Sequence, residues 1–496
     1  MSTRPLSDPK NRKTSGLPCG LAQGVRVLSE GDLDAIHAAT LRTLEKVGVR
    51  IAFPPALDLL RSAGARVEGE IARFPRSLVE DIIARTPSRV TLYARNPDQN
   101  IYLGEGRVHF TNGFGATWVE DHETGAVRNA TLDDLSVFTR LADALDHVDY
   151  CLFSVVPQDV PPRLLDVQCT ATALENTSKH IQLSLETAEW IEEIVELARA
   201  SVGPGKPLPI SAGGVPHSPL AYTADAAAKF MLLAQHEIPC LIVSGAMAGA
   251  TAPVTLAGAL VVQNAELLAG VAIHQLTRSG APVFLGTFAG GFDMRATKLA
   301  TGGPEITLIS CAAQQLANRY GIPLGYATGG MSDSIRSDVQ AGIEKASSVL
   351  FAALCGVDVI HDGASGLLGA GMLTSLAQMV IDNELCHSLA YALQGIRVDE
   401  TTLAEEVIAS VGPGGHYLAI DHTAQHFRKS LYLAPLRNRS PNAGSPEVER
   451  DSMLRRAARV AGEVLQNHQP DPLPDGARET FDAILERARR KTDTPN

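Results

Sequence analysis

PCLIVSGAMAG (239–249), then a helix-length stretch, then PVFLGTFAGG (282–291): this phrase repeats about eight times between Arg107 and Leu367. Its other openings are VHFTNGFG (108–115), VDYCLFSVV (148–156), HIQLSLET (180–187), LPISAGGV (208–215), PLGYATGGMSD (323–333) and VDVIHDGASG (357–366). Each is a short run of aliphatic and β-branched side chains that suits a parallel strand buried on both faces. Between them lie stretches such as DDLSVFTRLADAL (133–145) and AEWIEEIVELARASV (188–202), whose apolar residues recur at steps of three and four, the spacing of amphipathic helices. Eight such units predict an α/β fold, a (β/α)8 TIM barrel. An open doubly wound sheet is the alternative, but no GxGxxG opens the first helix, and the polar endings are spread over all eight units.

The barrel is expected over residues 107–395. A polar tail (1–24) and an α+β extension (25–106) precede it, and a helical extension (396–496) follows. Residues 31–65 and 77–85 carry helical periodicity, with Ser29 placed to cap the first helix. VTLYARN and NIYLGEGRVHF alternate like strands. At the other end, 374–394, 402–410, 446–466 and 475–490 read as helices. The net charge of −12 disfavours nucleic acid and anionic membranes as partners, since both call for clustered Lys and Arg. Seven cysteines form no CxxC pair and read as reduced residues of a cytoplasmic protein. The apolar stretch TLAGALVVQNAELLAGVAIHQL is broken by Gln263, Asn264 and Glu266, so it is expected to be a buried helix, not a membrane span.

In a βα barrel the active site is built from the loops that follow the strands. Gly113, Gly249, Gly290, Gly329 and Gly330 fall there and suggest a wide mouth of low side-chain bulk. Taken singly, each equally suits a tight turn. His422 and His426, four apart with His416 nearby, would share a helical face. Without HExxH or a cysteine set no metal site is expected, and a helix docked across the mouth is the plainer reading.

The stretches TGGMSDSIRSDVQAGIEKA (328–346), NGFGATWVEDHETGAVRNATLDDL (112–135) and GGHYLAIDHTAQHFR (414–428) together resemble the trimethylamine methyltransferase family. The similarity runs from about Val25 to about Arg487. It implies transfer of a methyl group from a methylated amine to the cobalt of a corrinoid (cobalamin) carried by a separate small protein. No DxHxxG is present here to supply a histidine to cobalt, so this chain is expected to hold no cofactor stably. Archaeal founders of the family use pyrrolysine in the barrel, whereas this chain contains only standard residues. A quaternary ammonium expels a neutral tertiary amine with no proton transfer, so a pyrrolysine-free site suits quaternary amines such as glycine betaine.

The residues for that chemistry are sought at the strand ends. Phe114, Trp118, Phe288, Phe292 and Tyr326 are candidates for an aromatic cage, each cation–π contact adding up to about 2 kcal/mol when desolvated. Asp333 and His361 are the catalytic candidates. Glu186, Asp333 and Asp362 offer charges to neutralise an ammonium, His361 and Asp362 hydrogen bonds to a substrate carboxylate, and Arg336 the nearest cation for it. For each aromatic ordinary packing is the competing reading, and for each acid a helix cap or an ion pair. Demethylation of trimethylamine or of a sulfonium such as dimethylsulfoniopropionate is a substrate variant. A non-catalytic sensor of quaternary amines is the second function. A barrel lyase or aldolase would need a Schiff-base lysine, and none of the strand endings contains one. The amphipathic stretch VERDSMLRRAARVAGEVLQ suits self-association as a homo-oligomer.

Overall fold

The computed structural model describes residues 17–18, 24–121, 124–439 and 452–493. Cys19, and the expected tail apart from residues 17, 18 and 24, lie outside them. Seven parallel strands form the main sheet: β1 (Arg107–Phe110), β2 (Ile181–Leu183), β3 (Ile210–Gly214), β4 (Cys240–Ser244), β5 (Val283–Thr287), β6 (Leu324–Thr328) and β7 (Val359–His361). They pair in the order β2-β3-β4-β5-β6-β7-β1. Helices α1 (Leu132–Ala144), α2 (Leu165–Asn176), α3 (Ile191–Val202), α4 (Ala224–Gln235), α5 (Leu256–Thr277), α6 (Pro304–Tyr320), α7 (Val339–Leu354) and α8 (Leu376–Leu393) alternate with them. This mixed α/β arrangement is consistent with a TIM-like barrel.

The run 148–156, expected as a regular strand, is not one. Tyr150, Cys151 and Val155 make only isolated bridges, to Thr111, Ile181 and Ala116 respectively. The cause is Asn112, whose side-chain amide donates to Leu152 O (2.9 Å) and accepts from Leu152 N (2.7 Å). An amide side chain here takes the place of a ladder partner.

A hairpin of Val90–Leu92 and Ile101–Leu103 covers the end of the sheet where the strands begin. His180, just before β2, contacts Tyr93 O through Nδ1 at 2.7 Å. The hairpin's Val90, Leu92, Ile101 and Leu103 share one apolar cluster with Tyr150, Leu152, Leu241, Val243, Phe284 and Val359. With this end filled, the opposite end, where the strands finish, is the one left for a ligand.

The stretch 31–65, read as carrying helical periodicity, divides into helices Glu30–Lys46 and Pro54–Ser62, with a strand, Val49–Ile51, between them. Gly48 makes the break: its φ is +80°, and a β-carbon there would stand 2.4 Å from Ala72 O. Ser29 caps the first helix through a reciprocal box with Asp32. The expected helix over 402–410 is split at Ala404. Helix Asp421–Ser430 contains no buried residue, so it does not dock across the end of the sheet.

Helix α5 is long and apolar enough to cross a membrane, yet 72% of its most apolar window is buried inside the protein. Its Glu266 accepts from Ser218 Oγ, Ser244 Oγ and Leu220 N, and burial raises its carboxyl above the usual range. His274, on the same helix, is held down to about 3 by burial, and its Nε2 has no hydrogen-bond partner. A histidine kept neutral in the fold leaves the unfolded chain to bind the extra proton below pH 6.5. Stability is therefore lost as pH falls from about 6.5 toward 3. Relative to His274→Gln, the wild type should lose about 1.4 kcal/mol per pH unit below 6.5. Paired urea titrations at pH 7.5 and 5.0 check this.

Candidate active site

Strand β6 places the central side chain. Its pairing with β5 shifts register between Leu285 and Gly286, which oppose Leu324 and Tyr326. The skipped residue is Gly325, where a β-carbon would lie 2.2 Å from the Phe284 ring. Leu324 packs with the larger core and Tyr326 against the inner cluster, although strict alternation would put both on one face. Phe114 and Phe288 also pack, partly exposed, on that inner cluster.

His361, the last residue of β7, stacks on Tyr326 with ring centroids 3.5 Å apart and planes at 23°. Its Nδ1 lies 2.8 Å from Asp362 Oδ2, but off the hydrogen-bond line. Both ring nitrogens and Asp362 Oδ2 therefore lack a hydrogen-bond partner. Each of these two residues is only 1% exposed. Burial pushes the Tyr326 hydroxyl well above its usual value, and the nearby Asp362 charge pushes in the same direction, so the phenol stays neutral. Asp362 itself sits at φ +69°, a conformation that Asp and Asn tolerate better than other side chains. The result is a buried carboxylate without a matching cation in hydrogen-bond contact, beside two stacked aromatic rings. Such a group calls for a cationic or hydrogen-bonding ligand.

The remaining candidates are placed elsewhere. Asp333 is engaged by Thr301 Oγ1 (3.0 Å), Gly302 N (3.0 Å) and Lys298 Nζ (3.3 Å), so it clamps the 298–303 loop. Glu186 is exposed at the edge of a crevice with Phe114, Phe153, Asp166, Cys169 and Ser184. Phe292 lies on a short strand pairing with Leu299. Trp118 is 45% exposed, and Arg336 is exposed in the loop after β6. Neither of these two is in the buried cluster. The glycines face protein more than open space: a β-carbon on Gly113 would strike Leu367, on Gly329 Ile360, and on Gly330 the Asp362 carbonyl at 2.3 Å. Gly290 and Gly249 stand against Leu299 and Met294. His422 and His426 have ring centroids 4.5 Å apart. Among the described residues no group of three or more His, Cys, Asp or Glu side chains is arranged to hold a metal.

Two features of the site escape a reading of the sequence. Gly286, on β5, is packed closely against Val243, the β-carbon of Tyr326 and Leu241, and a β-carbon there would lie 2.5 Å from Val243. Lys345 lies on the buried stripe of α7 with Ala341, Ser348 and Ala352. It donates to Gly330 O (2.7 Å) and Asp382 Oδ2 (2.8 Å). A lysine on the apolar face of a helix is the available signal.

Residues 8–495 match the sequence profile of a family described as trimethylamine methyltransferase (MTTB). The chain is 34% identical over 470 residues to the trimethylamine methyltransferase MttB of Desulfitobacterium hafniense, covering 93% of this chain and 94% of that one. It is 33% identical over 465 residues to a glycine betaine methyltransferase of the same species, covering 92% and 96%. The crystal structure of the Methanosarcina barkeri monomethylamine methyltransferase (MtmB) aligns with a TM-score of 0.47 at 11% identity, over 98% of this chain and 96% of that one.

Proposed function

This chain belongs to the trimethylamine methyltransferase family, and from that membership we propose that it moves a methyl group from a quaternary amine of the glycine betaine type to the Co(I) of a corrinoid on a separate protein. The observation that carries the reading is the buried Asp362 side chain, whose Oδ2 lacks a hydrogen-bond partner, beside the stacked Tyr326 and His361 rings. The glycine betaine methyltransferase relative and the absence of any non-standard residue favour a quaternary substrate over trimethylamine. The two bridges at Tyr150 and Cys151 support reading the sheet as a closed (β/α)8 barrel.

Co(I) supplies the nucleophile. A Co–C bond forms with its electron pair as the C–N bond breaks, and the bonding pair leaves with nitrogen as a neutral tertiary amine. No proton moves. Asp362 opposes the ammonium charge, the neutral face of Tyr326 walls the substrate, and Phe114 and Phe288 exclude water at the open end. Holding the N–CH3 bond in line with the acceptor is worth on the order of 7–11 kcal/mol.

The partner's approach is supported by the rim. Trp118, Val215, Val254, Met294, Ile335 and Met372 are all 43% or more exposed and stand in the segments that follow the main-sheet strands, Trp118 on a short strand there. Exposed apolar side chains of this kind mark a protein contact. Purified chain, reduced corrinoid protein and glycine betaine should form methylcobalamin, with no turnover of trimethylamine. Tight betaine binding without transfer to either the corrinoid protein or free Co(I) cobalamin would instead select the sensor reading. Met294→Asp and Val254→Asp should lower kcat/KM for the corrinoid protein by roughly tenfold or more, and leave transfer to free cobalamin unchanged. An equal loss with both acceptors would place these residues outside the docking surface.

A further inference from the structure

Tyr150 stands in the stretch 148–156, which forms no ladder, and carries a buried hydroxyl into the inner apolar cluster. Phenylalanine would fill nearly the same volume, so the hydroxyl is costly there unless it is hydrogen-bonded. His180 meets the ring edge to face, with centroids 5.9 Å apart. The hydroxyl lies 2.8 Å from Gly325 O and 3.1 Å from Gln182 Oε1. A phenol has one proton to give, and the shorter contact takes it. A half-turn of the Gln182 amide lets its NH2 donate to the phenol oxygen. Burial, aided by the charges of Asp149 and Asp362, pushes the phenol above its usual value, so it stays protonated and donates.

The acceptor is an unusual one. Gly325 is the residue that β6 skips against β5, and a glycine at such a slip has no side chain to anchor it and wide freedom to turn its peptide. The peptide that carries the Gly325 carbonyl also carries the Tyr326 nitrogen, so its rotation swings the Tyr326 ring. Tyr150 reaches that carbonyl from beyond β1, with β1 and β7 between it and β6 in the sheet order. The ring so placed lies at 23° to His361 with centroids 3.5 Å apart, a stack that a modest turn of the peptide destroys. Tyr150 has no exposed surface, whereas Tyr326 is partly exposed, so the hydroxyl reaches a ligand through Tyr326.

We propose that Tyr150 is a positioning residue for the amine site: its hydroxyl fixes the Gly325 carbonyl and thereby holds Tyr326 flat against His361. The consequence for substrate rests on the reading of Tyr326 as a wall of that site. Nuclear magnetic resonance with isotope-labelled histidine reports the stack without any turnover. The His361 ring protons, identified by their loss in His361→Asn, should lie upfield in the wild type because they sit over the Tyr326 ring. Tyr150→Phe should move them downfield, toward the position of an unstacked histidine, with an unchanged circular dichroism spectrum. It should also raise KM for glycine betaine roughly tenfold and leave kcat within a few-fold of wild type. Tyr326→Leu should raise KM by itself, and adding Tyr150→Phe to it should raise KM no further, because the two residues act in series. A His361 signal unmoved by Tyr150→Phe would overturn the proposal, as would KM effects that multiply in the double variant. A moved signal with wild-type KM would keep Tyr150 as the residue that sets the stack and would instead remove Tyr326 from substrate binding.

Discussion

Asp362→Asn raises KM for glycine betaine on the order of a hundredfold and leaves kcat within a few-fold of wild type, or increases it. The substitution changes charge and little else. Asn matches Asp in shape, and both tolerate the left-handed backbone at φ +69°. What is lost is a buried carboxylate facing a cation, an interaction whose removal costs on the order of 3 kcal/mol. The loss falls mainly on binding because positive charge drains from nitrogen as the C–N bond breaks. In the proposed function Asp362 therefore stabilises the bound ammonium more than the transition state. Initial-rate kinetics with glycine betaine and a saturating methyl acceptor separate the two constants. A fall in kcat with KM unmoved would show that the carboxylate acts on the acceptor side or on the geometry of the reacting methyl, and would remove it as the counter-ion.

The contrast between Asp362 and Asp333 shows where sequence reasoning reaches and where it stops. Both follow strands, and on sequence grounds both are candidates for the ammonium. Asp333 is claimed by Thr301, Gly302 and Lys298, on a loop about thirty residues earlier in the chain. No local pattern reports such a contact. The strands themselves are legible because continuous apolar runs bounded by turn residues have few other ways to be buried. The exception, 148–156, has the right residues and loses its ladder to the side chain of Asn112. Side-chain direction is the least legible layer. Tyr326 reaches the inner cluster only because the pairing slips at Gly325, and a single slipped residue reverses every inference from alternation. Position in a strand-end loop selects Trp118 and Arg336, but loop length alone does not say whether a side chain turns inward or outward. Trp118 instead joins the exposed rim, where an indole suits a protein partner better than a small ion.

Lys345→Met is the second large effect, and it acts through the frame around Asp362. Lys345 and Asp382 are paired at 2.8 Å with side chains only 2% exposed. The lysine also holds the Gly330 carbonyl, and Asp382 accepts from Gly366 N. These two glycines lie in the loops on either side of Asp362, and Gly330 is so close to the Asp362 carbonyl that no side chain fits between them. Removing the cation leaves a buried carboxylate with only neutral donors, at a cost of about 3–5 kcal/mol. Burial already raises the Asp382 carboxyl above its usual value, so without Lys345 it takes up a proton, which keeps the cost from growing further. For a chain of this length, the loss corresponds to a fall of about 3–5 °C in Tm. Adding Asp382→Leu to Lys345→Met removes the stranded acid and should recover most of the stability. It cannot restore the tie to Gly330, so KM for glycine betaine should stay raised in the double variant after its Tm has returned. If KM recovers together with Tm, the pair serves the stability of the fold alone and Asp362 is positioned without it.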